Sequence, residues 1–182
     1  MTPRPAFVYS QSMKAADLYG KVAAALASAS ILWQSINASY SQELLNHAQE
    51  MYSWGVQTPG KYSSYYKAAT ASIYPSTAWQ DDMAWAAYWL YRATGVKDYL
   101  NSSVYYWRQR QWDVTTDWDN CGAAVAVALA NLADDGVPVP YSSEISQWTF
   151  TTFLDAWLRS DGNTFFFVFI LQTVQSLGAL EK

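Results

Sequence analysis

Five aspartates near tryptophans could supply carboxylate chemistry, and they are Asp81, Asp82, Asp113, Asp117 and Asp119. Two carboxyl groups held near each other can serve as the general acid and general base of a hydrolytic reaction. We favour the interpretation that these aspartates are solvated loop acids or acids at a helix start, where negative charge interacts favourably with the helix dipole. A retained catalytic pair is the alternative.

The small numbers of histidine and cysteine residues exclude several kinds of site. His47 is the only histidine and Cys121 the only cysteine, so this chain holds no multi-histidine metal site, cysteine-rich zinc site or intramolecular disulfide. The net charge of −4 argues against a nucleic-acid partner. The apolar run at 165–171 is too short to span a bilayer, and residues 1–5 have no signal-peptide core, so we expect neither a membrane segment nor a secretory signal here.

Aromatic residues are unusually frequent, with ten Trp, fourteen Tyr and seven Phe making up 17% of the chain. Flat rings stack on apolar surfaces while Tyr O–H and Trp N–H groups still find polar partners. This surplus is typical of a carbohydrate or peptide groove. The alternative for any one ring is packing in a tryptophan-rich helical core.

Helices must position these residues. Apolar residues in steps of three and four place one stripe on a helix over 17–33, and the stripe is Leu18, Val22, Ala25, Ala29 and Leu32. Ser39 and Gln42 fit a capping box for a second helix, which Leu44, Ala48 and Met51 line and which Gly55 and Pro59-Gly60 end. Residues 53–80 are predicted to be mainly loop with a short helix.

Four more helical segments follow. Residues 82–94 form a nearly all-apolar helix that Gly95 stops, and 97–110 form its amphipathic partner. An Ala/Val-rich helix over 122–132 must be buried, and 143–158 form a further helix with aromatic residues. A small-residue helix followed by an amphipathic one is therefore repeated, which predicts an all-α fold of stacked helical hairpins, as in solenoids or α/α toroids.

Several stretches resemble glycoside hydrolase family 9 in the right order. They are Asn-His-Ala-Gln-Glu-Met-Tyr at 46–52, Pro-Gly-Lys-Tyr-Ser at 59–63, the block from Trp79 through Gln80-Asp81-Asp82 to Gly95, Trp118-Asp119-Asn120, and the Ala-rich helix at 21–30. The resemblance covers residues 3–163, and the block at 80–95 is its specific part. We therefore divide the chain into a partial family 9 catalytic domain at 1–163 and an unrelated apolar tail at 164–182.

The resemblance implies a partial (α/α)6 toroid, a six-hairpin fold represented here by about three hairpins. It implies an extracellular endo-1,4-β-glucanase whose cleft binds cellulose or cello-oligosaccharides and hydrolyses β-1,4-glucan with inversion. The family's base lies in an Asp-Ala-Gly-Asp motif, and its acid is a glutamate that follows a His/Arg motif. This sequence matches neither segment, so no catalytic residue is assigned, and we expect an internal fragment with little hydrolysis alone and with exposed faces on inner helices such as 123–132.

The resemblance also implies a structural calcium ion, although no cofactor is required. Carried over residue by residue, its ligands are the carbonyls of Thr77 and Ala78 and the carboxylates of Asp81, Asp82 and Asp119. Calcium prefers six to eight oxygen ligands, which three carboxylates from two loops begin to supply.

Four aromatic residues are expected to stack on the glucan, namely Trp112, Trp118, Tyr74 and Trp79. Trp85 and Trp89 lie four residues apart in one helix, so core packing is the interpretation we favour for both. The alternative function is a non-catalytic carbohydrate-binding or helical-repeat interaction protein, which would use the same aromatic loops without an acid/base pair.

Overall fold

The fold is all-α over the part of the chain that the computed structural model describes, residues 8–65 and 74–159. Its helices are α1 (Ala16–Trp33), α2 (Ala38–Gln57), α3 (Tyr62–Tyr65), α4 (Gln80–Thr94), α5 (Lys97–Arg108), α6 (Gly122–Asp134), α7 (Ser142–Trp148), a π-helical turn (Thr149–Leu154) and α8 (Asp155–Arg159). No strand occurs within these ranges. The all-α prediction is therefore confirmed.

The helices pair as successive hairpins. The small-residue helices α1, α4 and α6 pack side by side, α1 against α4 and α4 against α6. Each also packs against the helix that follows it, α2, α5 and α7 respectively. Two hydrophobic clusters meet at α4, one shared with α1 and α2 and the other with α5, α6 and α7. This repeat of inner and covering helices agrees with a partial (α/α)6 toroid.

The orientation of α1 differs from the sequence expectation. Apart from Asp17 and Tyr19, its buried residues are all small, and they include Gly20, Ala23 and Ala27. The predicted apolar stripe lies largely on the other side, and Leu32 is 72% exposed. The reason is the close approach of α1 to α4, which only small side chains allow.

Helix α2 begins earlier than predicted, and it ends just before Pro59-Gly60 but not at Gly55. Its N-cap is Asn37 rather than Ser39, and the Asn37 carboxamide oxygen accepts a hydrogen bond from the Tyr40 amide at 3.0 Å. Gly55 lies inside the helix, which continues to Gln57. A Cβ at Gly55 would lie 2.5 Å from Met83 Sδ, so this glycine serves close packing rather than termination.

The later helices lie close to their predicted positions, but two details differ from expectation. Gly95 ends α4 in the left-handed conformation at φ 70°, as predicted. The expected exposure of the α6 face is wrong, because Val125, Ala126 and Leu129 are fully buried against neighbouring helices. The continuous helix predicted over 143–158 is interrupted by the π-helical turn, where Trp148 and Phe153 stack with ring centroids 6.3 Å apart.

Two sequence-based predictions lie outside the described residues. The boundary between 163 and 164 and the assignment of 164–182 as an unrelated tail belong to this part and stay predictions. For the helices that are described, none combines the length and apolarity that crossing a bilayer demands.

Candidate functional site

Two aspartates at the start of α4 form a buried acidic pair. Asp81 is 0% and Asp82 1% exposed, and both side chains lie near the Cys121 thiol, with one ligand atom of each residue within 4.8 Å of the others. The Cys121 amide donates to Asp81 Oδ2 at 2.9 Å. Asp81 Oδ1 and Asp82 Oδ2 have no hydrogen-bond partner, so this pair is open to a cation or a proton.

The electrostatics of this acidic pair follow from its burial. Burial, together with the neighbouring charge of Asp81, raises the pKa of Asp82 to about 8, although Lys21 opposes the shift. Burial also raises the pKa of Asp81, and it raises that of the Cys121 thiol well above its usual value. A buried thiol of this kind is a weak nucleophile because its thiolate is disfavoured.

Lys21 is the cation nearest to Asp82. Its ammonium nitrogen lies 3.4 Å from Asp82 Oδ1 and donates a hydrogen bond to the Trp118 carbonyl at 2.5 Å. Burial lowers the pKa of Lys21, but the charge of Asp82, the hydrogen bond that it accepts from Lys21 and the charges of Cys121 and Asp81 together outweigh this effect, so the pKa is raised overall. Lys21 therefore links α1, the start of α4 and the loop that carries Trp118.

The five predicted calcium ligands are only partly brought together. Asp81 and Asp82 lie side by side, whereas both oxygens of Asp119 accept from the Thr77 amide at 3.1 Å. Arg110 Nη1 donates to the Thr77 carbonyl at 3.4 Å, and Ser76 Oγ donates to the Ala78 carbonyl at 2.8 Å.

Most predicted oxygen ligands therefore already accept a hydrogen bond from the protein. The third residue beside Asp81 and Asp82 is Cys121, whose thiol is a soft ligand. This donor set does not fit an ion that needs six to eight oxygens. Calcium binding itself stays a prediction.

A third buried acid, Asp17, lies on α1. Its two carboxylate oxygens accept from the Tyr62 amide at 3.0 and 3.1 Å, and Oδ1 also accepts from the Leu18 amide at 2.9 Å. Burial raises the pKa of Asp17, although these hydrogen bonds oppose the shift. Asp17 thus holds the start of α3 against α1.

Two loop acids accept hydrogen bonds from backbone amides close to them in the sequence. Asp117 Oδ1 accepts from the amides of Asp119 and Asn120 at 2.8 and 3.0 Å, and Asp113 Oδ1 accepts from the Val114 amide at 2.7 Å. Such local bonds are typical of turns. They agree with the interpretation of these residues as loop acids.

An exposed aromatic pair lies beside this loop. Trp118 is 52% and Tyr74 is 59% exposed, and their rings meet edge to face with centroids 5.3 Å apart at 85°. The Tyr62 hydroxyl donates to the Tyr74 carbonyl. We call Tyr74 and Trp118 the aromatic surface; both were predicted to bind glucan.

The other two predicted stacking residues are placed differently. Trp112 is only 7% exposed, its indole N–H donates to the Trp107 carbonyl at 2.5 Å, and its ring covers Gly122 so closely that a Cβ there would lie 2.4 Å away. Packing therefore accounts for Trp112, which offers no open ring face. Trp79 is half-buried with its ring against Tyr106, at a centroid distance of 5.8 Å.

Sequence reasoning missed Lys21 and Cys121 as parts of a polar site. One signal was present, because Lys21 is the only charged residue between Asp17 and Glu43 in an otherwise alanine-rich helix. Cys121 gave no such signal, since its role depends on Asp81 and Asp82, forty residues earlier. Trp85 and Trp89 pack against both hydrophobic clusters, as expected.

The chain is similar to known cellulases along most of its length. The sequence model of the family described as Glycosyl hydrolase family 9 matches residues 1–177. Endoglucanase 5 of Arabidopsis thaliana is 36% identical over 151 residues, covering 81% of this chain and 24% of the relative. Endoglucanase A of Bacillus pumilus is 33% identical over 137 residues, covering 72% of this chain and 21% of the relative.

Solved structures give the same result. An endoglucanase from the termite Nasutitermes takasagoensis superposes with a TM-score of 0.69 at 31% identity, covering 80% of this chain and 32% of that one. The cellulase Cel9M of C. cellulolyticum in complex with cellobiose gives a TM-score of 0.62 at 26% identity, covering 78% and 32%. The chain thus spans about a quarter to a third of the length of these proteins.

Proposed function

Because this chain belongs to glycosyl hydrolase family 9, we propose that it forms part of an extracellular endo-1,4-β-glucanase domain and that its aromatic surface binds β-1,4-glucan. The observation that carries the proposal is the exposed pair of Tyr74 and Trp118, fixed to the polar cluster at the start of α4 through the Trp118 carbonyl. Relatives named as endoglucanases support the substrate class.

The aromatic surface suits a sugar polymer. Indole and phenol rings stack on the apolar faces of pyranose rings, and their polar tips still reach hydroxyl groups. Trp118 and Tyr74 stand at about a right angle, so a sugar on the face of one ring meets the edge of the other. Arg110 and Asp117, which precede Trp118 in the same loop, are exposed polar residues.

Hydrolysis with inversion requires a pair of carboxyl groups that the five aspartates do not supply. It needs one carboxylic acid and one carboxylate on opposite sides of the glycosidic bond, with room for a water molecule. Asp81 and Asp82 are buried, and Asp113, Asp117 and Asp119 accept from backbone amides. We therefore assign glucan binding to these 182 residues and assign no bond cleavage to their acids.

A non-catalytic carbohydrate-binding protein is the second candidate. The burial and local hydrogen bonding of the acids favour it, because the aromatic surface needs no acid/base pair to bind. The two candidates share one surface and differ in whether glucan is cleaved.

The experiment compares glucan binding by the wild type, Trp118→Ala and Trp33→Ala. Trp33 is a matched control, because it also meets a tyrosine, Tyr40, edge to face at 5.2 Å and is part-exposed, but it ends α1. Binding is measured by titration calorimetry with cellohexaose and by retardation in gels that contain carboxymethylcellulose. Loss of one stacking ring should weaken binding by about 10-fold, while Trp33→Ala should leave it unchanged.

Reducing-sugar release from carboxymethylcellulose is measured on the same samples. Binding without release supports the proposal for these residues, and equal losses of binding in both tryptophan variants would refute the assigned surface. Release that Asp119→Ala abolishes would show that a local acid performs the chemistry.

A further inference from the structure

We infer that the ammonium group of Lys21 is the cation that the buried Asp81–Asp82 pair holds in this chain, in place of a divalent metal ion. The inference concerns how the fold neutralises two buried carboxylates. It does not depend on whether the chain binds or cleaves glucan.

The backbone brings Lys21 to the acidic pair. Gly20 on α1 lies against the Asp82 backbone, and a Cβ at Gly20 would be 2.7 Å from the Asp82 carbonyl carbon and oxygen. Lys21 is the next residue in α1, and its side chain is 45% exposed. Its nitrogen lies 3.4 Å from Asp82 Oδ1, whose own side chain is 1% exposed.

The charged surroundings require a cation. Asp81 and Asp82 come from α4, Asp17 is buried on α1 nearby, and the Cys121 thiol faces both carboxylates from the loop before α6. Among the charged groups with the largest effect on Asp82, which are Asp81, Lys21 and Asp17, Lys21 carries the positive charge. A buried carboxylate without a counter-charge is costly, so Lys21 stabilises the pair directly.

The donor set favours an ammonium group over a metal. An ammonium group needs only a few acceptors, and Asp82 Oδ1 and the Trp118 carbonyl supply two. Calcium would need six to eight oxygens. The Thr77 and Ala78 carbonyls and the Asp119 carboxylate already accept hydrogen bonds from protein donors.

The position of Lys21 also affects the aromatic surface. Because Lys21 also binds the Trp118 carbonyl, the counter-ion of the acidic pair holds the loop that presents the Trp118 ring. Lys21 is thus a positioning residue for that loop.

The test compares wild type, Lys21→Met and Lys97→Met, each with chelator and with millimolar calcium chloride. Lys97 is an exposed lysine at the start of α5 and serves as the control. We expect calcium titration of the wild type to give no binding heat and neither chelator nor calcium to change its Tm. Lys21→Met should lower Tm by about 4 °C or more, because the carboxylates lose their counter-charge.

In Lys21→Met the two carboxylates lack a counter-charge, so millimolar calcium, although poorly matched to these ligands, should recover part of the lost Tm; it should recover none in Lys97→Met, and general damage to packing would not produce this response. Lys21→Arg, which keeps the charge, should stay closer to the wild type than Lys21→Met. If Lys21→Met does not fold even with calcium, the wild-type calorimetry decides the question. Calcium binding by the wild type with micromolar affinity, or a Lys21→Met Tm equal to that of Lys97→Met, would overturn the inference.

Discussion

Gly20 and Asp82 touch through their backbones. A Cβ at Gly20 would lie 2.7 Å from the carbonyl carbon and oxygen of Asp82 and 3.0 Å from its Cβ. This contact lets α1 approach the start of α4 so closely that small residues form the buried face of α1. It also places Lys21, the next residue, beside the acidic pair.

Gly20→Ala tests this contact. Alanine favours a helix by about 1 kcal/mol over glycine, so an open site would be stabilised. Here the added methyl meets backbone that cannot rotate away, and we expect a net loss of about 1–3 kcal/mol in the free energy of unfolding. Urea denaturation measures it, with Ala25→Ser on the exposed side of α1 as control; a stabilised Gly20→Ala chain would show that α1 and α4 are farther apart.

Asp17 gives a prediction for the pH dependence of stability. Its pKa is raised in the folded chain by burial, so the folded state binds more protons than the unfolded state above the unfolded pKa of 3.8. Stability contributed by Asp17 is then fully present below that pKa and decreases as the pH rises through the folded pKa, by up to about 1.4 kcal/mol per pH unit.

Asp17→Asn should remove this part of the dependence, because the amide mimics the protonated acid and cannot ionise. The measurement is urea unfolding of both chains between acidic and neutral pH. The stability difference should shift in favour of Asp17→Asn as the pH rises, and a difference that is constant with pH, or that shifts the other way, would contradict the raised pKa.

Two substitutions at Trp112 test whether its ring packs in the core or contacts glucan. Trp112→Ala should cost about 3–5 kcal/mol of stability, because a buried ring and its hydrogen bond to the Trp107 carbonyl are lost. Trp112→Phe keeps most of the packing, and we expect it to bind cellohexaose as the wild type does. If Trp112→Phe remains folded but loses affinity as strongly as Trp118→Ala, the ring contacts glucan after all.

We expect the chain to self-associate through the outward side of α1 and the turn after it. Leu32 and Ile36 are each 72% exposed, and contiguous exposed apolar surface promotes contacts between molecules. Replacing both with lysine should reduce association in sedimentation velocity while changing stability by no more than about 0.5 kcal/mol per site. Leu44→Lys, at a buried position of α2, should instead unfold the chain; association that the surface variant leaves unchanged would locate the contact elsewhere.

The sequence predicted the helices well because their signals are local. The start and end of α4 follow from its apolar pattern and from Gly95, whose left-handed conformation the structure confirms. Of the two signals predicted to end α2, Pro59-Gly60 lies just after its C-cap Thr58, whereas Gly55 lies inside the helix and was wrongly predicted to end it. The purpose of Gly55, close contact with Met83, depends on a residue twenty-eight positions later, which no local pattern reports.

The site was less predictable for the same reason. The apolar stripe of α1 indicated the wrong face, because hydrophobicity ranks leucine above alanine whereas close helix packing favours the smaller side chain. Asp81 and Asp82 were identified through the family resemblance. Lys21 and Cys121 reach them from distant parts of the chain, and only the fold brings those parts together.

The loop before α6 is held by three indole N–H groups. Trp107 donates to the Gly122 carbonyl at 3.0 Å, Trp112 to the Trp107 carbonyl at 2.5 Å and Trp157 to the Val114 carbonyl at 2.7 Å. The backbone is therefore anchored on both sides of Trp118, at Val114 and at Gly122, without a ligand. A sugar that binds there pays little conformational entropy for ordering this backbone, so even a small contact area can yield measurable affinity.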